Sequence, residues 1–96
     1  MSEQSTPRRT AIVTGASGGI GRAISVRLAE AGTDVVVHYS GNRERAEETV
    51  AAVAAHGVRA LALQGDVADE VAMGALFERV AAEFGGVDVV VNNAGI

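Results

Sequence analysis

Apolar and polar positions along the chain follow two rhythms. Thr10-Ala-Ile-Val-Thr14 is a short β-prone run ended by Gly15. Between 19 and 31, Ile20, Ala23, Ile24 and Leu28 recur at helical spacing, and Gly32 stops that helix. Val35-Val-Val37, extended through His38 and Tyr39, is a second strand. Ser40-Gly41-Asn42 turns the chain, with a helix N-cap at Asn42 or a neighbour. A second helix covers 43–56, apolar at Ala46, Val50, Val53 and Ala54, and Gly57 ends it. Val58 to Leu63 is a third strand. After Gly65-Asp66, Asp69 caps a third helix that runs through Phe84, with Val71, Leu76, Val80 and Phe84 as its expected core face. Gly85-Gly86 ends it, and Val87 to Val91 is a fourth strand.

The order is βαβαβαβ. Strands alternating with helices of this length imply an α/β fold with a parallel sheet and right-handed crossovers. The continuous apolar run at 35–37 suits a strand buried on both faces. A doubly wound, Rossmann-type sheet then has strand order 3-2-1-4, incomplete on its C-terminal side. Residues 1–8 are polar and aperiodic and are expected to form a flexible tail, leaving 9–96 as the folded part.

Composition narrows the possibilities. Among 96 residues, 48% are hydrophobic but only Tyr39, Phe77 and Phe84 are aromatic, so the core is aliphatic. With no cysteine, a disulfide scaffold and thiolate metal sites are excluded. A net charge of −4 argues against a nucleic-acid partner held by phosphate contacts. No apolar run approaches the roughly 20 residues that cross a bilayer, so no membrane partner is expected. The polar start, Met1 to Arg9, carries no signal-peptide core, and a cytoplasmic protein is expected. His38 and His56 show no metal-ligand spacing and are expected to be structural or surface residues.

The chemistry concentrates in Thr14-Gly15-Ala16-Ser17-Gly18-Gly19-Ile20-Gly21, between the first strand and the first helix. Gly15 lets the chain leave the strand in a tight turn. Gly18 and Gly19, lacking Cβ, let a pyrophosphate approach the backbone, with Ser17 and Ile20 beside them. The helix N-terminus adds free N–H groups and a positive dipole end. Gly21 lets the helix lie close to the sheet.

These residues resemble the short-chain dehydrogenase/reductase family, whose T-G-x-x-x-G-x-G motif is matched by Thr14, Gly15, Gly19 and Gly21. Asp66-Val67, after the third strand, resembles that family's adenine-contacting pair. Asn92-Asn93-Ala94-Gly95 matches its N-N-A-G segment after the fourth. Thr14 to Ser17 and Val91 to Ile96 are similar to strings common among 3-oxoacyl-acyl-carrier-protein reductases. The resemblance covers residues 9–96 and implies a nicotinamide dinucleotide bound by the glycine turn, by Asp66 and Val67, and by Asn93, Ala94 and Gly95. It implies that Asn92 ties neighbouring strands together, and it implies a homo-oligomer, dimer or tetramer.

The end of the second strand faces the adenosine ribose in such a sheet. An acid there would bond the 2′-hydroxyl and repel a 2′-phosphate, but residues 37–43 contain none. Ser40 can bond a phosphate oxygen and Arg43, helped by Arg22, offers a guanidinium, which favours NADP(H) over NAD(H). Arg43 has an alternative partner in Glu47, four positions on.

The family's reaction needs a Tyr-x-x-x-Lys pair and a Ser. The only tyrosine is Tyr39, its fourth successor is Arg43, and all eight basic residues are Arg. No catalytic residue is assigned. The expectation is the cofactor-binding N-terminal part of an NADP(H)-dependent oxidoreductase, inactive by itself. The alternative is a stand-alone dinucleotide-binding or interaction module. A sheet left open at its fourth strand predicts that the 96-residue chain alone is marginally stable, aggregates or needs a partner. Denaturation with light scattering checks this, and a monodisperse, cooperatively unfolding monomer is the contrary result.

Overall fold

The computed structural model describes residues 8–16 and 18–93. Residues 1–7 of the expected tail (1–8) lie outside the described residues, as do Ser17, Ala94, Gly95 and Ile96. Arg8, assigned to that tail, reaches the carboxylate of Asp34 at 3.5 Å.

The elements run β1 (Thr10–Val13), α1 (Gly19–Glu30), β2 (Asp34–Tyr39), α2 (Arg43–Ala54), β3 (Ala60–Gln64), α3 (Glu70–Phe84) and β4 (Val89–Val91). The sheet is parallel in the order β3-β2-β1-β4, as the sequence predicts. In register, Thr10 lies opposite Asp34, Val35 opposite Ala60 and Ala11 opposite Val89. Every strand therefore ends on the same edge.

The side-chain alternation of a strand divides the core in two. Val13, Val35, Val37 and Tyr39 pack with Ala29 of α1 and with Ala46 and Val53 of α2. Ile12 and Val36 point the other way and pack with Leu76 and Val80 of α3. Both faces of β1 and β2 are covered, which is why their sequences are unbroken apolar runs.

The predicted caps form. Asn42 Oδ1 accepts from the Arg45 N–H at 3.0 Å, and Asp69 Oδ1 from the Ala72 N–H at 3.0 Å. Gly85 closes α3 in the left-handed region at φ +82°.

Three boundaries differ from expectation by two residues, and the others by no more than one. The second helix ends at Ala54, because its last turn tightens: the His56 N–H donates to Val53 O and the Gly57 N–H to Ala54 O. The third and fourth strands begin two residues later than predicted. There, carboxylates take the place of ladder carbonyls. Asp34 Oδ1 accepts from the Arg59 N–H at 2.8 Å, and Asp88 Oδ2 from the Thr10 N–H at 2.8 Å.

Val71 is also not a core residue, being 84% exposed. It sits about 140° around the helix from Leu76, whereas Ala72 is one full turn away and shares its face. Both Ala72 and Met73 are half-buried, so the core stripe enters α3 through them.

Val80 is 0% exposed against Ile12 and Val36, so Val80→Ala should cost about 2 kcal/mol. Val71→Ala should change stability by less than about 0.5 kcal/mol. Chemical denaturation of the two variants checks both values.

Candidate functional site

The site is built on the edge where the strands end. β1 leaves the sheet through Gly15, whose φ of +64° is strained for any residue with a Cβ. The turn then passes Ala16, which is fully buried, and reaches Gly18, the N-cap of α1.

A buried turn must satisfy its backbone polar groups. The Gly15 N–H donates to His38 Nδ1 at 3.1 Å, and Gly15 O accepts from Asn93 Nδ2 at 3.2 Å. The Ala16 N–H donates to His38 O at 2.8 Å, and Ala16 O accepts from Thr49 Oγ1 at 3.2 Å. Four backbone groups are thus held from β2, α2 and the segment after β4. Thr14 Oγ1 accepts from the Asn93 N–H at 3.0 Å and lies 3.3 Å from Asn92 Oδ1. Asn92 therefore joins the ends of β1 and β4, as the family resemblance implies.

Gly21 acts differently from its expected role. A Cβ there would lie 2.6 Å from Ala16 Cα and 2.7 Å from Gly15 O. Its missing side chain brings the helix against the turn, not against the sheet. At Gly19 a Cβ would meet nothing within 4 Å, and at Gly18 only Gly15 O at 4.0 Å. The backbone at these two positions is open to an approaching group.

The N-terminus of α1 is unlike those of its neighbours. No side chain caps it and its first turn holds no acid. α2 and α3 each have a side-chain cap and a first-turn glutamate, Glu44 and Glu70. The positive end of the α1 dipole and its N–H groups are left for an anion. Ile20, in that first turn, is exposed.

Beside the turn lies a hollow of about 240 Å³ lined by Gly18, Gly19, Arg22, Arg45 and Glu48. Arg22 Nη1 is 3.6 Å from Glu48 Oε1, a bridge between α1 and α2. Arg45 forms no ion pair among the described residues. Arg43 takes its alternative partner, with Nε 3.0 Å from Glu47 Oε2. That hydrogen bond, and the charge of Glu47, raise the pKa of the Arg43 guanidinium. It stays charged at every working pH. A raised basic pKa adds stability that is lost only as pH climbs through it, so none is lost near neutrality.

Ser40 is exposed at the end of β2, and its carbonyl accepts from Gln64 Nε2 at 3.0 Å. In the next turn, the Gly65 N–H donates to Tyr39 O at 3.0 Å, and Gly65 O accepts from His38 Nε2 at 2.7 Å. Asp66 Oδ1 accepts from the Ala68 N–H at 2.9 Å, which shapes the turn, and Val67 is about half exposed. The described members of the predicted set (Gly15, Gly18, Gly19, Ile20, Gly21, Ser40, Arg43, Asp66, Val67 and Asn93) come from four segments spread between positions 15 and 93 and follow the C-terminal ends of four parallel strands, along one edge of the sheet.

Sequence reasoning missed His38 as a turn anchor and missed Thr49 and Arg45 altogether. Thr49 had a readable signal. It lies three residues after Ala46 and four before Val53, on the buried stripe, where a hydroxyl needs a partner. His38 had a weaker one, as a polar side chain in strand alternation with buried Val36.

The chain matches the short chain dehydrogenase family model over residues 9–96, and it belongs to that family. It is 49% identical over 88 residues to the 3-oxoacyl-acyl-carrier-protein reductase FabG of Staphylococcus aureus, covering 92% of this chain and 36% of that protein. It is 47% identical over 88 residues to versicolorin reductase 1 of Aspergillus parasiticus, covering 92% of this chain and 34% of that protein. A Burkholderia cenocepacia dehydrogenase, solved with bound NADP, superposes with a TM-score of 0.83 at 32% identity, covering 88% of this chain and 33% of that one. Acetoin dehydrogenase from Enterobacter cloacae superposes with a TM-score of 0.85 at 36% identity, covering 97% of this chain and 36% of that one. The chain spans about a third of the length of these relatives.

The two glycine positions separate packing from ligand access. Gly21→Ala should destabilise the protein and weaken dinucleotide binding together, because its Cβ collides with backbone. Gly19→Ala should leave the melting temperature within about 2 °C and weaken dinucleotide binding at least about fivefold. Thermal melts and fluorescence titration of the full-length variants check both.

Proposed function

We propose that this chain holds the adenosine and pyrophosphate of NADP(H) for an oxidoreductase that interconverts a carbonyl and an alcohol, similar to a 3-oxoacyl-acyl-carrier-protein reductase. The carrying observation is the uncapped, acid-free N-terminus of α1 beside open glycine backbone, while α2 and α3 are both capped. A phosphate is the partner that such an N-terminus fits. When bound, the dinucleotide supplies the hydride.

The chain's own residues bind and orient. The N–H groups opening α1 receive the pyrophosphate, and Gly18 and Gly19 admit it. Asp66 and Val67 flank the adenine, and Asn93, with Ala94 and Gly95 after it, lines the ribose side. Ser17, between Ala16 and Gly18 in the sequence, is assigned to the same pyrophosphate contact. Ser40, Arg22 and Arg43 favour a 2′-phosphate, and the hollow adds Arg45 to that set. With Arg43 engaged by Glu47, Arg45, which forms no ion pair among the described residues, is the arginine that lines the hollow. The chain contains no Lys, so a Tyr–Lys proton relay is not completed by these 96 residues.

The full-length protein should bind NADPH about tenfold or more tightly than NADH by isothermal titration. Ser40→Asp places a carboxylate where the 2′-phosphate would sit. It should cost NADPH about tenfold and leave NADH unchanged or tighter. Equal binding of both cofactors by the parent protein overturns the NADP(H) reading. Absence of binding to either overturns the function.

A further inference from the structure

His38 is a buried, polar residue on a strand that is otherwise apolar between Val35 and Tyr39. It is 1% exposed, and its ring lies on the α3 side of the sheet. A valine there would continue the packing of Val36. The imidazole instead bonds two different turns. Nδ1 accepts from the Gly15 N–H at 3.1 Å, which requires Nε2 to carry the proton it donates to Gly65 O at 2.7 Å. The ring is thus neutral, in one tautomer, with both nitrogens used. Gly65 leaves little slack, since a Cβ there would lie 3.2 Å from Met73 Sδ and 3.5 Å from Leu76 Cδ1.

Gly15 opens the turn that the proposed function gives to the pyrophosphate. Gly65 precedes Asp66 and Val67, given to the adenine. We propose that His38 is a positioning residue which sets the separation of the pyrophosphate turn and the adenine turn by holding Gly15 N–H and Gly65 O on one rigid ring. The inference rests on that dinucleotide reading of the two turns. A planar ring with both ends bonded transmits a shift at one turn to the other. A dinucleotide that spans them is therefore met by turns already spaced for it, and binding does not have to order them. An apolar residue at this position leaves a part-buried donor, the Gly15 N–H, and a part-buried acceptor, Gly65 O, without the ring that holds them.

Three variants of the full-length protein divide the role. His38→Asn keeps an acceptor near the Nδ1 position and is too short to reach Gly65. His38→Gln places a donor near the Nε2 position and gives up the bond from Gly15. His38→Leu removes both. The probes are NADPH, which spans the two turns, and adenosine 2′-monophosphate, which carries the adenine and ribose end without the pyrophosphate. Each titration is paired with a thermal melt.

The Gln variant should bind adenosine 2′-monophosphate within about twofold of the parent and NADPH about tenfold more weakly. The Asn variant should weaken both probes, and the Leu variant should weaken NADPH most. If the folded Gln variant binds NADPH within about twofold of the parent, or loses both probes to the same extent, the positioning role is overturned. If none of the three folds, His38 is only a structural residue and the proposal fails. If the parent protein itself binds no dinucleotide, the function reading fails and takes this inference with it.

Discussion

A strand covered on both faces ends inside the protein, and its last peptide groups must find partners before the chain can turn. That constraint governs this structure. β1 and β2 are buried along their whole lengths, so the Gly15–Ala16 turn has little access to water. Its four backbone groups are satisfied by His38, Thr49 and Asn93. The turn proposed to meet the dinucleotide is therefore held by groups from β2, α2 and the end of β4. Those same bonds are what make it rigid.

The opposite edge of the sheet is treated in another way. There Asp34 and Asp88 supply carboxylate oxygens to the Arg59 and Thr10 N–H groups. Side-chain acceptors close the ladder at this end, and the strands shorten accordingly. The two edges thus differ in kind. One is finished internally with acids. The other is left with glycine, exposed backbone and an unneutralised helix dipole, which is an arrangement that selects for anions. A single extra acid in the first turn of α1 would remove that selectivity, and the sequence places its first-turn acids only on α2 and α3.

Arginine placement shows how local and tertiary effects compete. Arg43 and Glu47 are one helical turn apart, so their pairing needs nothing beyond α2 itself. Arg22 and Glu48 pair only because α1 and α2 lie side by side on one face of the sheet. Among the described residues Arg45 has neither kind of partner, and it lines the hollow beside the glycine turn. Which arginine faces the hollow thus depends on one pairing within α2 and on another set by the packing of two helices.

Much of the architecture is written in periodicity. The order of elements, the parallel sheet, its 3-2-1-4 order, the caps at Asn42 and Asp69 and the glycine turn follow from patterns within a few residues of each other. Such patterns record which side of an element is buried, and burial is what selects them. Val71 shows their limit, because an apolar residue one step off the stripe is exposed once α3 has docked. The anchors of the turn were not legible in this way. His38 is 23 residues from Gly15, Thr49 is 33 from Ala16 and Asn93 is 78 from Gly15. Which of these side chains meet depends on strand order, register and helix seating together, and a hydrogen bond forms only where all three bring donor and acceptor within about 3 Å. The sequence alone determined the elements and the glycine turn at the end of the first strand. The tertiary structure decided which side chains hold that turn and which arginine stands beside it.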